Sequence, residues 1–154
     1  MKAILTGHDA VVREFMEARV DTPGAFSEGR GVGLVDIDQH TGQADLIAGC
    51  WFEKWNGVNL SMHIAAVPGR RWMNREFLWY CFHYAFVECG CRRVTGLVPE
   101  SNFDARRFDE HLGFEHEATL KDAAPDGDLR IYVMWKDKCR WLNLNPFGKQ
   151  HTEH

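Results

Sequence analysis

The sequence predicts a single α/β domain of the α+β kind: a mixed, mostly antiparallel sheet of six to seven strands flanked by helices. Three observations predict it. After one amphipathic helix, the chain from Gly31 to Trp55 reads as two strands around a hairpin turn. From Leu60 to Glu100 it reads strand, basic loop, apolar helix, strand, which is the order of a right-handed crossover between parallel strands. Beyond a short helix, two further strand-like stretches close the chain.

A chain of 154 residues, 45% apolar and 26% charged, can bury a core as one domain, expected over 1–142 with a flexible tail at 143–154. A net charge of −4 offers no global attraction to nucleic acid or to an anionic membrane surface. The basic residues cluster instead in pairs, Arg70–Arg71, Arg92–Arg93 and Arg106–Arg107, which suits a small anionic ligand better than a long polyanion. Cys50, Cys81, Cys89, Cys91 and Cys139 show no paired zinc spacing and read as free thiols in a reducing compartment; no metal is expected. The chain carries no apolar leader and no run near the ~20 residues of a membrane span. The expectation is a soluble, cytoplasmic protein with no membrane partner.

His8 to Val20 sets Val11, Val12, Phe15 and Met16 on one helical face, with Asp9 near the N-terminus. Asp21 to Arg30 is a Gly/Pro/Ser-rich loop. Gly31–Asp38 and Ala44–Trp55 pair across the turn at His40–Gln43, and Asn56-Gly57 turns the chain into the strand 58–67. The helix Arg75 to Cys89 is apolar nearly all round and so is buried on more than one side. Gly90 stops it before the strand 92–99. Ser101 and Asp104 form a capping box for a short helix that Gly113 ends, with Phe114 folding back. Strands over 114–120 and 129–141, joined by a turn-rich loop, complete the sheet.

The segment Val67-Pro68-Gly69-Arg70-Arg71-Trp72-Met73-Asn74 sets backbone N–H groups and two guanidinium groups at a helix start, an arrangement that holds a pyrophosphate. His63, mid-strand beside that loop, is either a hydrogen-bonded core histidine or a general base. Glu53, Glu100 and Asp109 are the alternative acid or base groups.

The order of these elements resembles the GNAT superfamily of acyl-CoA-dependent N-acetyltransferases. The most specific stretch is SNFDARRFDEHLGFEHEATL (101–120) followed by DGDLRIYVMWKDKCRWL (126–142), similar to bacterial and phage members near the ribosomal-protein N-acetyltransferase branch. The resemblance implies a sheet splayed between the 58–67 and 92–99 strands, with acetyl-CoA as cosubstrate. Ile64, Ala65, Ala66 and Val67 would hydrogen-bond the pantetheine arm through their backbone. Gly69, Arg70, Arg71, Trp72, Met73 and Asn74 would hold the pyrophosphate, Asn102 would contact the pantetheine region or cap the short helix, and Arg75 and Arg106 complete the cofactor-binding set. Two departures stand out. Asp109 occupies the position where many relatives carry a proton-donating tyrosine, and Trp72 and Met73 stand where the phosphate loop usually has glycines. The expected reaction is acetyl transfer to a primary amine, with His63 as first candidate base. The alternative is a non-catalytic module that binds CoA or a partner. A homodimer through the tryptophan-rich final strand is a further expectation.

Overall fold

The computed structural model describes residues 1–19 and 26–144. The predicted flexible tail beyond Leu144 and positions 20–25 of the first loop lie outside them. The elements are β1 (Lys2–Leu5), α1 (Asp9–Glu17), β2 (Gly29–Ile37), β3 (Ala44–Glu53), β4 (Ser61–Ala66), α2 (Arg75–His83), β5 (Arg93–Pro99), α3 (Phe103–Leu112), β6 (Glu115–Ala124) and β7 (Gly127–Trp135).

One seven-stranded sheet runs in the order β1-β2-β3-β4-β5-β7-β6. All neighbours are antiparallel except β4 and β5, as the mixed α+β reading requires. α1 lays Val12, Phe15 and Met16 on one face, where Trp51, Phe26, Ala65 and Val67 meet them. The opposite face carries the larger core, built on Phe77, Leu78, Cys81, Phe82 and Phe86 of the crossover helix and its extension. Leu112 of α3, Phe114, Tyr132 and Trp141 continue that core over the second half of the sheet. Such two-sided cover explains why the crossover helix has almost no polar stripe.

Several boundaries differ from the sequence reading, each for a local reason. β1 has no counterpart in it: four residues with little alternation become a strand by pairing with β2 (Ala3 with Val35). Asn56-Gly57 does not make a two-residue hairpin. The Asn56 side chain accepts from Val58 and Asn59 N–H (3.1 and 2.9 Å), wrapping the chain into a longer loop that delays β4 until Ser61. The crossover helix is α-helical only to His83 and then widens into a π turn over Tyr84–Glu88, closed by Cys89 N–H donating to Tyr84 O (2.8 Å). Ser101 does not cap α3 and turns away to Asp126; the cap is Asn102, one of the two roles the resemblance implied for it, whose side chain accepts from Ala105 N–H. The loop expected near 121–128 is instead a long hairpin, with Ala124 paired to Gly127. β7 stops at Trp135, and the chain folds back through two 3-10 turns that bury Trp141.

Candidate active site

β4 and β5 pair at a single register position, Ser61 with Thr95. Thr95 N–H donates to Leu60 O (2.9 Å) and Arg92 N–H to Val58 O (2.9 Å); toward Ala66 and Pro99 the two strands pair no further. The sheet therefore opens into a V with its vertex at Ser61–Thr95. On the other side of β4, Val67 N–H donates to Ile47 O (2.8 Å), which assigns the odd-numbered residues to β3. The main-chain groups of Ile64 and Ala66 then face the gap, because hydrogen-bonding direction alternates along a strand. Those of Ala65 and Val67 are spent on β3, so half of the predicted pantetheine-binding set offers its backbone to the opening.

On the α1 side of the vertex, sequence-distant groups converge. His63 lies opposite Trp51 in the β3–β4 register, and Glu53 lies opposite Ser61. The His63 Nε2 is 3.2 Å from a Glu53 oxygen. The other Glu53 oxygen accepts from Ser27 N–H (2.7 Å) and Ser27 O–H (3.0 Å). The Phe26 ring meets the imidazole edge-on at 4.9 Å. Burial alone would push the Glu53 carboxyl up, but the hydrogen bonds from His63 and Ser27 outweigh it and bring its pKa down to about 2. Glu53 is therefore an anion fixed beside His63. It accepts the Nε2 proton and leaves Nδ1 as the nitrogen with a free lone pair.

This carboxylate also sets an acid-stability prediction. Its ordinary value of 4.5 falls to about 2 on folding, so the unfolded chain takes up this proton first. The stability it supplies is complete above pH 4.5 and is lost as pH falls toward 2. Melting curves should drop less steeply between these limits for Glu53→Gln than for the wild type.

The loop between β4 and α2 divides its side chains. Asn74 caps α2 by accepting from Phe77 N–H (2.9 Å), and Leu78 N–H reaches Asn74 O, which leaves the Arg75 and Glu76 N–H groups open at the helix start. Arg70 turns back to β2 and β3 and pairs with Asp36 (3.0 Å) and Asp45 (3.8 Å). Arg71 and Arg75 are exposed and make no ion pair among the described residues. Trp72 folds inward, its ring 4.7 Å from Phe108 of α3, so its bulk fills the core side and not the loop. Met73 is exposed.

α3 brings its groups to the other side of the vertex. Asp109 sits over Gly96, the first β5 residue beyond the vertex, and a Cβ there would lie 3.3 Å from its Oδ2. Burial, with a smaller contribution from the charge of Glu110, raises the Asp109 carboxyl to about 7. Arg106 donates to Glu100 O (2.8 Å), while its Nε is buried without a partner. Glu100 itself pairs with Arg130 (3.1 Å) at the far end of β5 and does not join the His63–Glu53 pair. A cavity of about 580 Å³ opens beside this pair, where β3 ends, lined by Glu53 itself with Trp51, Trp55, Leu60 and Tyr84.

No protein-family model and no curated protein matches the chain. Solved structures do. A mutant form of spermidine N-acetyltransferase SpeG from Vibrio cholerae superposes with a TM-score of 0.70 at 13% identity, over 92% of this chain and 96% of that one. The same enzyme in complex with CoA and spermine gives 0.66 at 14% identity, over 92% and 98%. An acetyltransferase of the GNAT family from Bacillus anthracis gives 0.55 at 17% identity, over 70% and 66%. The chain has the GNAT fold. At these identities the likeness carries the architecture alone.

Within the GNAT fold of this chain, sequence reasoning missed two participants. Ser27 lies in a stretch with no periodicity, and only the bonds to Glu53 give it a role. Gly96 sits inside a strand, where a glycine signals that something approaches closely; here it is the Asp109 carboxylate.

Proposed function

We propose that this protein transfers an acetyl group from acetyl-CoA to a primary amine. The observation that carries the reading is the open β4–β5 vertex with the Ser27–Glu53–His63 chain beside it. An extended amide-containing arm can add to the free β4 edge through the main chain of Ile64 and Ala66, as peptides add to exposed strands. The open N–H groups of Arg75 and Glu76, with the Arg71 and Arg75 guanidinium groups, suit the pyrophosphate at the helix start. Asn102 and Arg106 border the same opening from α3.

His63 supplies the base. An amine attacks only when neutral, and Nδ1 takes its proton as the new bond forms, directly or through one water. Glu53 faces the positive ring that results, and Ser27 holds Glu53 in place. Main-chain N–H groups on the β4 edge stabilise the carbonyl oxygen as it gains charge. Holding donor and acceptor in one gap supplies much of the remaining rate.

A thiol-release assay with an amine panel tests the proposal: spermidine and spermine, lysine peptides, ribosomal-protein N-terminal peptides and aminoglycosides. Release of CoA that depends on one amine class supports it; none with any amine favours a binding module. Arg71→Ala with Arg75→Ala should raise KM for acetyl-CoA about 10-fold or more with little change in kcat, the signature of lost uniform binding. Thermal shift against acetyl-CoA should fall in parallel.

A further inference from the structure

The acetyl-transfer reading leaves one large space unused, the cavity where β3 ends. At about 580 Å³ it is in the range that holds a small organic molecule. Its walls come from α1, the start of β2, the end of β3 and the π turn that extends α2. Trp51, Phe52, Trp55 and Tyr84 supply ring surface, and Leu60, next to the vertex residue Ser61, supplies alkyl surface. Both indoles are fixed: Trp51 N–H donates to Ser27 O (3.2 Å) and Trp55 N–H to Cys89 O (3.0 Å). The Tyr84 ring lies 4.8 Å from that of Phe52. With the indole N–H groups spent, the rings remain as apolar walls whose faces attract a cation.

The charges on the lining balance, three carboxylates (Asp9, Glu28 and Glu53) against three cations (Arg13, Arg30 and Lys54). Asp9 is held by Arg30 (3.3 Å) and by Gly31 N–H (2.9 Å). Arg13 pairs with Glu17 (2.9 Å) and donates to Phe26 O (2.6 Å). Glu53 differs in being buried and only partly spent. A carboxylate accepts about four hydrogen bonds. His63 and Ser27 use three of them, which leaves one acceptor position, enough for one N–H of an amine. Glu53 also lies opposite Ser61 in the β3–β4 register, so the cavity reaches the vertex there.

We propose that this cavity holds the body of the acceptor and that the acceptor is a primary monoamine on an aromatic body, an inference that rests on the acetyl-transfer reading. The open position on Glu53 takes the amino group, and the ring walls take the rest. A polyamine is selected against. Each further ammonium would leave water for a wall of rings and balanced charges. Glu28, the remaining carboxylate, is exposed, and a charge pair in water contributes little. The loop proposed to hold the phosphates follows Ala66, whereas the cavity lies at the Ser61 end of β4. Donor and acceptor therefore come to the vertex from opposite ends of one strand.

Binding and turnover are read separately. Calorimetry with CoA present, where no acetyl group can move, should show phenethylamine and tryptamine binding about 10-fold or more tightly than spermine. Phenylethanol, the same body without the amine, should bind about 10-fold more weakly than phenethylamine, because it brings no charge to Glu53. With acetyl-CoA, kcat/KM for the amines should follow the same order. Trp55→Ala removes a ring that is 60% exposed, so the melting temperature should hold. Its KM for phenethylamine should rise about 10-fold while KM for acetyl-CoA stays unchanged. Ala10→Trp fills the cavity from an exposed position on α1 and should abolish phenethylamine binding, while acetyl-CoA still raises Tm. Spermine, a peptide or an aminoglycoside matching phenethylamine in binding or turnover overturns this inference alone, as do phenethylamine kinetics that neither variant alters. A wild type that binds phenethylamine but releases no CoA with any amine overturns the transferase reading and leaves the cavity's ligand class standing. A wild type that neither binds phenethylamine nor releases CoA overturns both.

Discussion

Replacing His63 by alanine is expected to lower kcat about 10²- to 10⁴-fold, the usual contribution of a placed general base. KM for acetyl-CoA should move little, because the imidazole lies on the α1 side of β4, away from the loop proposed to hold the phosphates. Glu53→Gln should fall between that variant and the wild type. An amide can still meet the ring, but it no longer carries the charge that stabilises the imidazolium or fixes which nitrogen holds the proton. Ser27→Ala should have the mildest effect, since Glu53 would keep the Ser27 N–H at 2.7 Å. This graded order is the informative result. Steady-state kinetics from pH 6 to 9 measures it, and a His63→Ala enzyme with full rate throughout would remove the histidine from the chemistry.

The second large effect concerns the core. Phe82 is fully buried on the crossover helix, with the rings of Phe86 and Phe114 6.1 and 6.2 Å away. It lies between the helix and both halves of the splayed sheet. Phe82→Ala should cost about 3–5 kcal/mol, the range for deleting a buried aromatic ring. For a domain of this size that corresponds to a drop of roughly 6–20 °C in Tm, measured by calorimetry. A drop of a degree or two would mean that the surrounding side chains close over the cavity.

The meander and the crossover were legible in the sequence because they rest on patterns that local physics enforces. The turn residues His40–Gln43 separate β2 from β3, alternation marks β7, and the glycine stop at Gly113, which takes φ 112°, marks the end of α3. What escaped was decided by distant partners. Lys2–Leu5 is a strand only because β2 offers it a free edge, and the widening at Tyr84–Glu88 has no composition signal. The site divides in the same way. His63 and Glu53 were each visible as candidates, yet their pairing depends on a register that no single strand encodes. Arg70 was equally visible as a phosphate ligand, and its engagement by Asp36 and Asp45 is a tertiary fact. Trp72 was conspicuous in a loop expected to be small; its partner, Phe108, lies 36 residues away and turns an apparent obstruction into core.

The single pairing position between β4 and β5 has a mechanical meaning. A four-stranded leaf, β1 to β4, and a three-stranded leaf, β5 to β7, meet along a short spine at Ser61 and Thr95, with the crossover helix pressed against both. Such a spine resists sliding but gives way readily to bending, because few main-chain bonds lie far from the axis. A ligand lodged between the leaves ties them at a distance from the spine, where leverage is greatest. Stiffening on binding should then extend to strands that never touch the ligand. Slower amide exchange in β6 and β7 after addition of acetyl-CoA would report it.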